Sequence, residues 1–467
     1  MGTLTLQSIP QQLPGVIRLR LAFLEGFDRR LGEINATHGK ILFFTGAAFD
    51  FKRVDRLCRQ YQAVVYFGTK NCRQGGVGRA IDRDAHAERR SILKIADIEI
   101  IELTNIPVTP PLFEEPVRTA VRLVKIKTDD GIVGISQIGG FMHSASVAFI
   151  RNELAPFLKG KDPLENERLM HQMLWKFNTR AHAGVWNFAV SAVDVALWDI
   201  KGKFYNAPVW RLLGAAQKSI PAYITFGLRA YSREALAEAA KYWVAQGQSR
   251  LKIQVGRLNI RGEMDPSGAG AEHREDSPTE DEARVRVVRE AVGEKVELMA
   301  DANCLMKYDA AVRWCKRFEP YNLMWFEEPI VHNDAHLLAE LRKQTSIPIA
   351  AGQWENFFKL AELVKQDAVD FLNIHVLSVG GFTMGMKAAG MAQAFNLPVG
   401  NGDHFDLHLQ AAVPNGWRAE IHVNNWLTSN LIYKDLPGSV NGWVTLTERP
   451  GLGLELNADA VAEYRSK

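Results

Sequence analysis

The sequence predicts an α/β fold: a closed (β/α)8 barrel with an α+β domain ahead of it. Three features of the 467 residues predict it. Asp301, Glu327 and Gln353 stand 26 positions apart, each after a short apolar run and before a stretch that reads as a helix. A strand, an oxygen-bearing side chain, a loop and a helix, repeated at a fixed interval, is how a barrel gathers ligands from neighbouring strand ends onto one divalent cation. Beyond about residue 219 the chain carries eight apolar strand-like runs, the number that a closed barrel needs. Ahead of them lies an alternating meander.

Residues 1–92 are set apart by charge. They hold 15 Lys/Arg against 8 Asp/Glu, a net of +7, which leaves −4 for the rest of a chain whose total is +3. Apolar patches at Ile41-Leu42-Phe43-Phe44 and Ala63-Val64-Val65-Tyr66-Phe67 alternate with Arg-rich stretches and show no sustained period. A basic appendage for a polyanion and a poorly ordered extension both fit this pattern. No nucleic-acid motif accompanies the charge, so no nucleic-acid partner is expected.

From Leu93 the pattern sharpens. Lys94 to Ile100 and Val121 to Lys127 alternate, and a turn at Asp129-Asp130-Gly131 leads into Ile132 to Ile135, a small antiparallel meander. Helical patterns follow over 145–158, 163–178 and 184–203, which makes 93–215 an α+β domain. The barrel occupies 216–440. Its strands are expected at Ala222–Ile224, Leu251–Val255, 296–300, 323–326, 347–351, Phe371–Ile374, Pro398-Val399 and Ala419–Ile421. A tail at about 440–467, Gly-rich at Gly451 and Gly453, returns to the first domain. A polar excursion over 257–282 follows the second strand, on the face where barrel insertions act as lids.

Bulk composition excludes several classes. Apolar content of 47 % and charged content of 23 % suit a soluble enzyme. Cys58, Cys72, Cys304 and Cys315 form neither a disulfide framework nor a zinc-finger spacing, so a reducing cytoplasm is expected. No apolar run reaches the roughly 18 residues of a membrane span, and no secretory signal opens the chain, so no membrane partner is expected. Neither a nucleophile elbow nor a strand-borne phosphate loop is present, and Cys304 reads as a small buried thiol.

The block Ala189-Val190-Ser191-Ala192-Val193-Asp194-Val195-Ala196-Leu197-Trp198-Asp199-Ile200-Lys201-Gly202-Lys203, with Pro208-Val209 and Leu212-Leu213-Gly214 after it, resembles the enolase superfamily. More narrowly it is similar to the mandelate racemase/muconate-lactonizing subgroup. Asp301-Ala302-Asn303, Phe326-Glu327-Glu328-Pro329 and Val379-Gly380-Gly381 carry the same resemblance, which covers about 93–460. It implies a capping domain on a modified TIM-like barrel, a homo-oligomer, and Mg²⁺ chemistry that removes a proton α to a carboxylate. Such a proton is weakly acidic, so a cation and fixed donors must stabilise the enediolate.

Carried over, the resemblance makes Asp301 and Glu327 metal ligands, with oxygen donors that suit Mg²⁺. The family's third carboxylate is replaced by Gln353, which offers a neutral oxygen; Glu355, two residues on, reaches in if the loop bends. Asn303 would face the same side as Asp301, as a substrate contact. The subgroup's Lys-x-Lys on the second strand is here Lys252-Ile253-Gln254, so its usual base is absent. Lys252 would hold the substrate carboxylate, or act as base if crowding lowers its pKa. His375 stands where the subgroup has an Asp, and a Gly where it has a His. Either Asp403 orients His375, or His404 swings in as the acid/base. Glu420, ending the eighth strand, would donate to the oxyanion if protonated. Arg118 and His143 lie in stretches that suit an anionic substrate.

The expected activity is hydro-lyase: α-proton abstraction from an acid sugar (an aldonate or aldarate), then loss of the β-hydroxyl. Loss of the Lys base argues against a symmetric two-base racemase. A racemase, epimerase or cycloisomerase of the same subgroup is the alternative, and beyond it a metal-binding homologue without turnover.

Overall fold

Alternation with a period of two decides the interior of this protein. The computed structural model describes residues 93–177, 179, 184–227, 231–256, 278–400 and 402–466, with four short strands before them. The chain divides into two units, Met1–Arg89 and Arg90–Lys467. In the first, Val16–Ile17 pairs antiparallel with Ala36–Thr37, and Ile41–Phe44 pairs parallel with Val64–Phe67. The remaining expectations for 1–92 lie outside the described residues.

In the second unit, eight parallel strands close a barrel: Ser219–Gly227, Arg250–Gln254, Glu297–Asp301, Leu323–Glu327, Ile349–Ala351, Phe371–Asn373, Val399–Gly400 and Gly416–His422. Closure comes from the eighth strand pairing with the first, Glu420 opposite Tyr223 and Ile421 opposite Ile224. Inward side chains form an apolar layer of Tyr223, Met299, Trp325 and Ala350, packed against Phe371 and Trp417. Phe371 stacks on Trp417 with centroids 4.3 Å apart. Two residues further along the same strands, the inward positions are Thr225, Asp301, Glu327 and Asn373, at or near the C-terminal strand ends. The apolar layer thus sets the floor, and the polar residues stand on it.

The domain ahead of the barrel is a meander of Ile95–Val108, Val117–Thr128 and Val133–Gln137 with helices packed on it. Its 20-residue helix Val185–Phe204 carries the sequence block singled out above, and most of its residues are buried. Two acids on that helix explain the block physically. Asp199 accepts hydrogen bonds from Ile135 N at 2.9 Å and Leu452 N at 2.8 Å, tying meander and C-terminal segment to the helix. Asp194 accepts from Thr383 N at 3.0 Å and Thr383 Oγ1 at 2.6 Å, tying it to the barrel. Gly381 is required there: its φ is +71°, and a Cβ would sit 2.1 Å from Asp194 Oδ2. The C-terminal segment reaches the meander, Arg465 bridging to Leu103.

One boundary is corrected. The polar excursion expected to run to 282 ends earlier, because the helix Pro278–Val292 has begun, with Pro at its first position and Glu280 and Asp281 in its first turn. Residues 257–277 lie outside the described residues. Among the described residues no helix is long and apolar enough to cross a membrane.

Candidate active site

Lys252 is the centre of the site. It lies mid-strand with its side chain inward, and its Nζ is 2.7 Å from Glu327 Oε2, 3.1 Å from Glu420 Oε1 and 3.2 Å from Asp301 Oδ2. The side chains of Lys252 and Glu327 are 0 % exposed. Burial alone would lower the pKa of Lys252, but Glu327 and Glu420, with Asp301, outweigh it and push it well above the ordinary value. A lysine base requires the opposite direction, so this ammonium is a fixed charge. The same pairing acts on Glu420: burial raises its pKa, Lys252 overcomes that, and the net direction is down. That direction runs against the protonated donor expected from the sequence. Thr225 Oγ1 at 2.5 Å and Gln353 Nε2 at 3.1 Å donate to the Glu420 carboxylate.

The two readings of the third ligand separate in space. Gln353 reaches the Lys252 cluster through Glu420. Glu355 is turned to Asn333, whose Nδ2 donates to Glu355 Oε1 at 3.0 Å and to Glu328 Oε1 at 3.1 Å. Glu328 also accepts from Gln353 N at 3.1 Å and Gly352 N at 3.3 Å, so it props the Gln353 loop, and burial pushes its carboxyl up to about 7. Three carboxylates meet one ammonium in the buried cluster, and burial, against the pull of Lys252, pushes the Glu327 carboxyl well above the usual carboxylate range. With the Gln353 amide the carboxylates make an all-oxygen donor set, and its chemistry fits a hard divalent cation.

Across the barrel mouth, His375 Nδ1 lies 2.6 Å from Asp406 Oδ2. Burial would lower the His375 pKa; the Asp406 carboxylate outweighs burial and, with Asp403 and Glu420, raises it to about 9. Asp406 is fixed by Val376 N, 2.5 Å from its Oδ1, and Asp403 N, 3.0 Å from its Oδ2. Trp354 covers the imidazole, ring centroids 4.4 Å apart. The orientation expected from Asp403 is thus corrected: Asp403 turns to Phe405 N at 2.9 Å and Gln137 Nε2 at 3.4 Å, and burial pushes it up to about 7. His375, Asp403 and Asp406 offer ligand atoms within 4.8 Å of one another, a spacing that an ion could use. Their oxygens already accept backbone N–H groups, which makes the cluster an acid/base arrangement first.

His404 lines one small pocket with Asp403 and Glu420. Its ring packs at 4.2 Å on Phe405 and 5.2 Å from Tyr433, and burial pushes its pKa down to about 3. Asn303 turns on a φ of +45°, its N donating to Asp301 Oδ1 at 2.8 Å. Gln254 pairs in register with Asp301 and cannot take a proton. Arg118 donates to the Asn105 carbonyl within the meander and meets none of the cluster residues. His143 lies 3.4 Å from Arg122, and burial lowers its pKa. Asp406 and Trp354 were missed from the sequence. Asp406 sits three residues past Asp403 at the start of the helix Asp406–Ala412, and an acid there reads as an ordinary helix-start charge.

A family model described as enolase C-terminal domain-like matches residues 234–460, and one described as mandelate racemase/muconate lactonizing enzyme, N-terminal domain, matches 104–214. The chain is 29 % identical to arabinonate dehydratase of Saccharolobus solfataricus, over 73 % of this chain and 90 % of that one. It is 29 % identical to D-galactarolactone cycloisomerase of Agrobacterium fabrum, over 74 % and 92 %. The structure of L-talarate dehydratase from Polaromonas sp. JS666, complexed with Mg and L-glucarate, superposes with a TM-score of 0.68 at 28 % identity, covering 80 % of this chain and 98 % of that one.

Proposed function

For a chain that belongs to the enolase superfamily, in its mandelate racemase/muconate lactonizing subgroup, we propose a Mg²⁺-dependent acid-sugar dehydratase. The observation that carries this reading is the asymmetry of the mouth. On the second strand stands Gln254, which cannot exchange a proton; opposite it, His375 is paired with Asp406. Asp301, Glu327 and Gln353 would hold Mg²⁺, which when bound supplies positive charge to a substrate carboxylate and makes the α-proton more acidic.

The chain's own residues then have separate tasks. Lys252 keeps a fixed positive charge in the cluster. Asp406 and Trp354 fix the imidazole. His375, in its neutral form, takes the α-proton. The resulting imidazolium returns that proton to the β-hydroxyl as the carbon–oxygen bond breaks, so water leaves and an enol remains, which tautomerises to a 2-keto-3-deoxy acid. One histidine serving both steps needs no second base, which agrees with Gln254. Glu420 balances Lys252.

The 29 % identity to a cycloisomerase over 74 % of the chain supports a second reading, in which the same proton abstraction leads to ring opening or closure rather than water loss. The replaced ligand Gln353 and the absent lysine base support a third, a binding protein without turnover. A cytoplasmic homo-oligomer belongs to the proposal as a subgroup expectation. An aldonate and aldarate library with Mg²⁺ distinguishes the readings: a 2-keto-3-deoxy product supports dehydration, an isomeric product the second reading. Binding with neither product supports the third.

A further inference from the structure

Two of the four buried asparagines among the described residues have acceptors for their amide nitrogens. Asn187 Nδ2 donates to the Ser378 carbonyl, and Asn333 Nδ2 to Glu328 and Glu355. Asn166 Nδ2, in the domain ahead of the barrel, has none, and neither has that of Asn373 at the barrel mouth. Asn373 is 3 % exposed, and its Nδ2 is buried without an acceptor among the described residues. A donor taken out of water and left unpaired is costly and rare in a native interior.

Its place in the barrel points to what the donor meets. Asn373 is the last residue of the sixth strand, and alternation puts its side chain on the face of Phe371, which packs inward on Trp417 and Trp325. His375 follows two residues on. Gly352 lies across the neighbouring strand end with φ +122°, and a Cβ there would meet the Asn373 carbonyl at 2.6 Å. The missing side chain lets the Gln353 loop close down on Asn373. Tyr223 also has a buried hydroxyl without a partner, but it sits one layer lower, 5.2 Å from Trp325. Asn373 stands at the ligand end of the barrel, between Gln353 and His375 in chain order around the mouth.

We propose that Asn373 is a substrate-binding residue whose Nδ2 donates to a carboxylate or hydroxyl oxygen of a polyhydroxy acid, beside the reacting carbons. This rests on the dehydratase reading for the identity of the substrate, and on the unpaired donor for the residue. Asn373→Leu, nearly the same shape, removes the donor without adding a polar group. Its free form is expected to melt at the wild-type temperature or above it. Its kcat/KM on the acid sugar that the wild type dehydrates is expected to fall roughly 10- to 100-fold, the size of one hydrogen bond to a charged group. Asn373→Asp, equal in shape but an acceptor, should raise KM and provides the same comparison if the leucine variant does not fold. A melting temperature several degrees lower for Asn373→Leu, or an unchanged kcat/KM in either variant, overturns the assignment. Wild-type inactivity on every acid sugar would sink the functional reading alone; the melting comparison still decides whether the Asn373 donor is structural.

Discussion

His375 Nδ1 lies 2.6 Å from Asp406 Oδ2, so the imidazole on the sixth strand is held by a carboxylate from the helix after the seventh. Each is buried, and Asp406 is fixed from two sides by backbone N–H groups. Such a pair keeps one ring nitrogen committed and leaves the other to face a substrate.

Asp406 raises the His375 pKa against the opposing effect of burial, to about 9. Removing the charge in Asp406→Asn leaves burial to prevail, so the pKa falls. The base form of His375 is lost as pH drops below that pKa, so the acidic limb of a kcat/KM profile should move to lower pH in the variant, with a lower plateau because the ring is less well held. A pH–rate profile checks this; a limb that keeps its wild-type position contradicts the pairing.

Lys252 neutralises a cluster that would otherwise hold three buried carboxylates. In Lys252→Met these charges are left without their partner, and a loss on the order of 3–5 kcal/mol is expected. Denaturant titration measures it. Added Mg²⁺ should restore more stability to the variant than to the wild type, since the cation takes over part of the neutralisation. Equal Mg²⁺ effects on both proteins would show that the cation binds away from this cluster.

Gln353 tests the metal set in the opposite direction. Gln353→Glu adds a carboxylate beside Asp301 and Glu327, and Mg²⁺ affinity by calorimetry should rise by roughly tenfold as the ligand charge grows. Glu355→Gln, a change at Asn333 rather than at the Lys252 cluster, should leave the affinity near the wild-type value. Reversal of these two results would make Glu355 the ligand.

Most of the fold was legible because barrel strands announce themselves locally. Each apolar run ends where the next inward residue is polar, as Trp325 gives way to Glu327 and Met299 to Asp301, and the closed eight-stranded barrel follows. The charge states were not legible. Lys252 is held cationic by Asp301, Glu327 and Glu420, separated from it by up to 168 positions, and no local pattern reports such a meeting. Nor does the stretch from Asp403 to Asp406 say which acid turns to His375; that depends on the backbone N–H groups of Val376 and Phe405. Arg118 was suggestive only because anionic substrates favour arginine, and its place in the meander gives it a backbone carbonyl instead.

The central claim is that His375 moves the α-proton. The most direct measurement follows an α-deuterated acid sugar through the wild type and His375→Asn, reading product formation and loss of the label by mass spectrometry. The account predicts a primary isotope effect in the wild type, with product formation and label loss both falling at least about a hundredfold in the variant. Label loss at the wild-type rate in His375→Asn would contradict it, and would assign the base to another residue.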